Sequence, residues 1–193
     1  TGRYPLWRWC IVGGVALAVI AIDQLSKSRA LERLSDGAMI DVIGPLRFNL
    51  AFNTGMAFSK GSGSGAIIAL VVLVVVVVLI FVARTLRSRF QLVLVGLIIG
   101  GALGNVLDRA FRAPLAGESG GFMRGAVVDF IDVQFWPIWN VADMAVVCGA
   151  IALALFGLRG DPVDEPEPDG GSVEQPDGAT SEGSTGTDVP RSS

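Results

Sequence analysis

Histidine is absent from these 193 residues, and cysteine occurs only at Cys10 and Cys148. The first absence removes the commonest general base and the commonest metal ligand. Neither cysteine has a C-x-x-C neighbour, and both fall inside apolar runs, so they read as small buried hydrophobes rather than as a disulfide or a zinc site. No metal and no organic cofactor is expected. Basic residues never gather with interleaved aromatics, which argues against nucleic acid as a partner. No internal repeat is visible, and charge is missing from several long apolar runs. Any acid–base chemistry in this sequence therefore falls to carboxylates, in a chain with the composition of a polytopic membrane protein.

Charge divides the chain near residue 160. Residues 1–160 carry 14 Lys/Arg against 9 Asp/Glu, a net of +5, whereas residues 161–193 carry 1 Arg against 9 Asp/Glu, a net of −8. The first part is expected to be one transmembrane domain. The Pro-, Gly-, Ser- and acid-rich remainder is expected to be a disordered tail, with too little apolar surface to offset the entropy of ordering. Four apolar runs predict spans over about 9–27, 65–84, 90–109 and 137–159. The second is dominated by Val71 to Val78, yet a lone span must satisfy its backbone internally, so it is read as helix. Arg3 and Arg8 precede the first run, but the only A-x-A, Ala16-Leu17-Ala18, lies in mid-run, so a retained first helix is expected rather than a cleaved signal. Gly96, Gly100, Gly101 and Gly104 give the third run a small-xxx-small stripe for close helix approach.

The fold class expected is an all-α membrane protein, four helices in an antiparallel bundle, with a small extracytoplasmic β-strand cradle. The cradle rests on Met39 to Phe52, where Ile40, Val42, Ile43, Leu46, Phe48 and Leu50 nearly alternate around a Gly44-Pro45 turn. Val127 to Val133 is a further short strand candidate. The short connection between the second and third runs carries Arg84, Arg87 and Arg89 with no acid, which places it in the cytoplasm. Both termini are then cytoplasmic, and the loops 28–65 and 108–137 face outward. Trp136 and Trp139 mark the outer interface, with Asp143 four residues beyond Trp139 and so about 6 Å deeper, shallow in the bilayer where water still reaches it.

Asp143 is the only charge from Trp139 to Leu158. A carboxylate within a span costs roughly 2.5–3.5 kcal/mol on insertion scales and is functional by default, although a helix N-terminal acid favoured by the macrodipole is the bland alternative. Asp129 lies upstream in Val127-Val128-Asp129-Phe130-Ile131-Asp132; by itself it reads equally as a solvated loop acid. Two carboxylates brought together in a low dielectric would share a proton, the arrangement of an aspartic peptidase. Asn140, three residues before Asp143, could orient it or hold substrate. Asn105, Asp108 and Arg109 share adjoining faces at the end of the third run, either as a site-supporting group or as an interfacial cap. Asp23 and Lys27, four apart, read as a structural pair with Lys27 snorkelling to the interface.

Five segments are similar to the lipoprotein signal peptidase (signal peptidase II) family. They are Asp23-Gln24-Leu25-Ser26-Lys27, Asn53-Thr54-Gly55-Met56-Ala57-Phe58-Ser59, the run from Gly100 to Arg109, Val127 to Asp132, and Trp136 to Asp143, together covering most of residues 15–158 in the family's order. The resemblance implies that Asp129 and Asp143 are the catalytic pair and that Asn53, Gly101, Asn105, Arg109 and Asn140 support it or contact substrate. Asp23, Lys27, Gly55 and Asp108 fall in the same segments and complete the candidate site. The implied reaction is removal of the signal peptide from a diacylglyceryl-modified prolipoprotein, cut before the lipidated cysteine by a monomeric enzyme in the plasma membrane. Trp139 stands where the family commonly has Phe, residues 110–124 are long and Gly-rich, and the tail lies outside the shared pattern. A competing reading is a small proton-coupled transporter using the same aspartates as a relay. Gly117, Gly120, Gly121 and Gly125, with Gly55, would give segments 40–59 and 110–126 the freedom of a mobile cover, or simply make turns in a static loop.

Overall fold

A computed structural model of the chain describes residues 5–55, 64–114 and 121–158. The elements run α1 (Leu6–Leu34), β1 (Ile40–Ile43), β2 (Leu46–Asn53), α2 (Ser64–Thr85), α3 (Arg89–Phe111), β3 (Val127–Asp132) and α4 (Val141–Leu158). Three of these helices, α1, α2 and α3, are long and apolar enough to cross a membrane; α4 is a shorter apolar helix. Helix α2 leaves Val74, Val77 and Val78 exposed, as suits a helix whose solvent is lipid. The acidic tail, together with Met56 to Ser59 and Gly117 and Gly120, lies outside the described residues.

Helix α3 is the centre, packed against α1, α2 and α4. Its glycines make this approach close, and they serve two neighbours rather than one stripe. A Cβ on Gly96 or Gly100 would strike Val15, Ala16 or Val19 of α1, whereas one on Gly101 would strike Ala142 and Val146 of α4. At the α2–α3 connection the Arg8 guanidinium donates to the carbonyls of Ala83 (3.0 Å) and Leu86, tying the start of α1 to that turn.

Helix α1 does not end near Lys27 but continues to Leu34, so the loop begins about seven residues later than the hydropathy predicts. Beyond Lys27 the sequence becomes amphipathic, and Ala30 and Leu34 pack on Phe130 of β3. The expected strand pair is present, with β1 and β2 antiparallel around Gly44, whose φ is +52°. Strand β3 joins β2 antiparallel, Ala51 opposite Asp129 and Asn53 opposite Val127, in sheet order β1-β2-β3. Arg47 Nε donates to Asp132 Oδ2 at 2.8 Å across this pair, and holds the Asp132 carboxyl below the usual carboxylate range.

Both cysteines are exposed on the helix surfaces rather than buried, so packing does not account for them. Gly125 is not a hinge: its N–H donates to Arg109 O at 2.9 Å, and a Cβ there would collide with the carbonyls of Asp108 and Arg112. Its side chain is missing because the loop must lie directly on the end of α3.

Candidate active site

The chain leaves β3, turns through 133–138, and returns to the sheet. Phe130 N–H and Ile131 N–H both donate to Trp139 O, and Trp139 N–H donates to Ile131 O. This isolated bridge delivers Asn140 beside the strand it has just left, and α4 starts only at Val141. Asn140 is therefore the residue that precedes the helix, not part of its face, and the 1.5 Å rise per residue applies only from Val141. The sequence counts Asp143 about one helical turn below Trp139; the structure places it in the first turn of α4, which begins only at Val141.

Asn140 and Asp143 form a reciprocal cap. Asp143 N–H donates to Asn140 Oδ1 at 2.9 Å, and Asn140 N–H donates to Asp143 Oδ2 at 3.2 Å. This is the capping-box pattern with Asp in place of Glu, and it satisfies two backbone donors that a helix start otherwise leaves open. The other end of Asn140 reaches the second acid, its Nδ2 donating to Asp129 Oδ1 at 2.6 Å. One fully buried asparagine thus touches both carboxyl groups. Asn105 of α3 completes the arrangement: its Nδ2 donates to Asp143 Oδ1 at 2.7 Å and its Oδ1 accepts from Asn140 Nδ2 at 3.1 Å.

Asp129 is buried on β3. Burial pushes its carboxyl up to about 6, and the charge of Asp143 adds to the rise, against smaller lowering by hydrogen bonds from Asn140 and Asn53. Asn53 also caps its own turn, its Oδ1 accepting from the N–H of Gly55 at 2.9 Å. Gly55 has a φ of +81°, which only glycine adopts at little cost. A groove of about 300 Å³ opens onto Asp129 between Asn53, Thr54, Pro137 and Ile138.

On the other side of Asn140, a cavity of about 320 Å³ opens onto Asp143. It lies between α2, α3 and α4, and its walls include Val71, Val75, Ile98 and Val146. Asn105 and Arg109 are the other polar groups on its wall. Arg109 is 8 % exposed and uses one guanidinium nitrogen on Asn105 O, while its Nε is a buried donor with no partner among the described residues. The two carboxyl groups are thus open to a groove carrying Asn53 and Thr54 on the sheet side and to an apolar cavity on the helix side.

Beneath Asp129 and Asp143 lies a second polar layer. Lys27 is fully buried and points inward, not to the interface, because three acceptors await it. Its ammonium meets Asp23 Oδ2 at 2.8 Å, Asp108 Oδ2 at 2.9 Å and Asn105 Oδ1 at 2.9 Å, which uses all three of its donors. Asp23 Oδ1 accepts from Ala142 N–H at 2.9 Å, holding the start of α4. Asp108 faces away from its neighbour Arg109, and accepts instead from Arg112 Nε (2.7 Å), Gln24 Nε2 (3.0 Å) and Val128 N–H (3.3 Å). Gln24 and Arg112 were not among the residues singled out in the sequence. Gln24 lies within the Asp23–Lys27 segment, one residue after Asp23 and three before Lys27, but spacing alone assigns it no role.

Comparison with known proteins bears on this geometry. The family model described as Signal peptidase (SPase) II matches residues 15–159. The Lipoprotein signal peptidase of Rhodococcus jostii (strain RHA1) is 42% identical over 157 residues, covering 81% of this chain and 74% of that protein. That of Mycobacterium avium (strain 104) is 40% identical over 157 residues, covering 81% of this chain and 83% of its own length. A solved structure described as a bacterial membrane enzyme superposes with a TM-score of 0.64 at 27% identity, covering 78% of this chain and 93% of that one.

Proposed function

This chain belongs to the signal peptidase II family and removes signal peptides from prolipoproteins, and we propose that it does so as an aspartic peptidase with Asp129 and Asp143 as its catalytic pair. The observation that carries the reading is Asn140, one residue that donates to both carboxyl groups, from its side-chain Nδ2 to Asp129 and from its backbone N–H to Asp143. Asp143 receives donors from Asn105 Nδ2 and Asn140 N–H, which suit an ionised carboxylate. Asp129, pushed up to about 6, is the partner that carries the shared proton.

In this mechanism Asp143 takes a proton from water as the water oxygen attacks the scissile carbonyl carbon, and Asp129 gives its proton to the carbonyl oxygen. As the tetrahedral diol collapses to the carboxylic acid, one of its hydroxyl protons returns to Asp129, the C–N bond breaks, and Asp143 gives the proton it took from water to the leaving amine. That amine belongs to the cysteine bearing diacylglyceryl, and its acyl chains occupy the apolar cavity between α2, α3 and α4. The free Nε of Arg109 serves there as donor to a substrate carbonyl, and Asn53 and Gly55 line the peptide's path along β2. Gly101 lets α4 approach α3 closely enough for Asn105 to reach Asp143. Asp23, Lys27 and Asp108 position the dyad from below.

Four antiparallel spans, with α4 as the fourth, suit this reading. The basic α2–α3 turn puts both termini and the acidic tail 161–193 in the cytoplasm and the sheet outside. A monomer suffices, since every group named comes from one chain. The test is cleavage of a synthetic diacylglyceryl lipobox peptide by the purified protein, with Asp129→Asn and Asp143→Asn alongside. Each substitution should lower turnover by about 10²–10⁴-fold, the usual contribution of a positioned acid or base. Near-wild-type turnover in either variant removes that residue from the mechanism.

A further inference from the structure

A third cavity, of about 460 Å³, shares no residue with the dyad or its supports. It runs between the last turns of α1 and the sheet, with Ala30 and Leu34 on one side and Ile40, Phe48 and Phe130 on the other. Its rim carries Arg29 and Arg33, four apart on α1 and so neighbours on one helix face. Both are exposed, and neither has an ion pair or hydrogen bond among the described residues. Glu32, the nearest acid in sequence, pairs with neither. Two like charges thus lie one helical turn apart over an apolar floor with nothing among the described residues to neutralise them.

Their height along α1 identifies the medium they face. The helix has 29 residues, about 43 Å at 1.5 Å per residue, which is the thickness of a bilayer with its headgroups rather than of its hydrocarbon alone. Counted from Leu6, about 20 residues cross the hydrocarbon, which ends near Leu25. Ile22 and Leu25 are the last large apolar side chains that α1 exposes. Arg29 and Arg33 then stand about 6 and 12 Å further out, at the level of lipid phosphates. Beside them Met39 and, in β1, Ile40, Val42 and Ile43 are exposed, an apolar strip that water would not favour.

We propose that Arg29 and Arg33 clamp the phosphate of one anionic phospholipid, whose acyl chain covers Ile40, Phe48 and Phe130. A guanidinium matches two phosphate oxygens at once, and two of them exceed the charge that a zwitterionic headgroup leaves unbalanced. The bound lipid wedges α1 against the sheet, and so supports the strand that carries Asp129 without touching the reaction.

Native mass spectrometry of the detergent-purified protein tests this, with phosphatidylglycerol, phosphatidylcholine of the same chains, and glycerol 1-phosphate as probes. One phosphatidylglycerol per chain is expected, with phosphatidylcholine at least tenfold weaker and no glycerol phosphate at equal concentration. The double variant Arg29→Gln/Arg33→Gln should lose phosphatidylglycerol to the phosphatidylcholine level and keep its lipopeptide turnover in detergent. Arg87→Gln, in the connection between α2 and α3, should change nothing. The proposal fails if the double variant retains phosphatidylglycerol, or if Arg87→Gln loses it equally, which would mean general charge attraction. It fails too if phosphatidylcholine binds as well, or if glycerol phosphate does, since then the apolar groove contributes nothing.

Discussion

Asn140 and Asp143 exchange two hydrogen bonds across the first turn of α4, and the same asparagine donates to Asp129. The helix cap and the proposed dyad are therefore one structure. A residue that would be judged by its stability contribution alone also sets the distance and orientation of the two acids.

Separating those roles is the first prediction. Asn140→Ser keeps a capping oxygen but cannot reach Asp129, whereas Asn140→Ala loses both. The Ser variant should lie within a few tenths of a kcal/mol of wild type, and the Ala variant should cost about 0.5–2 kcal/mol. Both should lose turnover by at least tenfold. Thermal unfolding in detergent and lipopeptide turnover would be measured together. Turnover that tracks stability through the series would reduce Asn140 to a cap.

The second prediction is a pH dependence. Asp129 titrates near 6 in the folded chain against 3.8 unfolded, so between these values the native state holds the extra proton. Its contribution to stability is full below about pH 3.8 and is lost as pH rises through about 6, a change of about 2–3 kcal/mol. Asp129→Asn should therefore be more stable than wild type at pH 8 and no more stable at pH 4. The alkaline limb of kcat/KM should fall near 6, and that of kcat should lie higher, because lipid substrate excludes water from Asp129. Identical melting shifts at the two pH values would contradict this.

Lys27 is the subject of the third. Lys27→Met leaves Asp23 and Asp108 buried without their cation, and should destabilise by about 3–5 kcal/mol. Adding Asp23→Asn and Asp108→Asn removes both stranded charges and should recover most of that loss. Failure of the triple variant to recover any stability would show that the network acts through something other than charge balance.

Deletion of residues 161–193 is the fourth. The tail is compositionally apart from the peptidase body and is assigned to the opposite side of the membrane from the dyad, so lipopeptide turnover should be unchanged at equal protein level. A large loss would overturn the assignment of that segment or of the topology.

Much of the architecture is legible in one dimension because lipid imposes a simple rule. A segment surrounded by hydrocarbon must be apolar over about 20 residues and must close its own hydrogen bonds, so α1, α2 and α3 stand out by composition alone. The strand pair is legible for a similar reason, since alternation around Gly44-Pro45 is a local pattern. The chemistry-bearing residue types were equally visible, because a chain without histidine leaves few candidates and Asp129, Asp143, Asn105 and Asn140 sit in short polar islands.

The partners of those residues were not. Hydropathy cannot tell a lysine that snorkels outward from one that turns inward, because the difference lies in Asp108 and Asn105, contributed by a helix some 80 residues away. Nor can it tell a carboxylate within a helix from one in its first turn; that was decided by Trp139 pairing back onto β3, which delays α4 to Val141. The residue types and the lengths of the spans were thus determined locally. Which acid meets which asparagine was decided by the tertiary structure, because buried polar groups must find partners and only the packed helices and sheet bring those partners within reach.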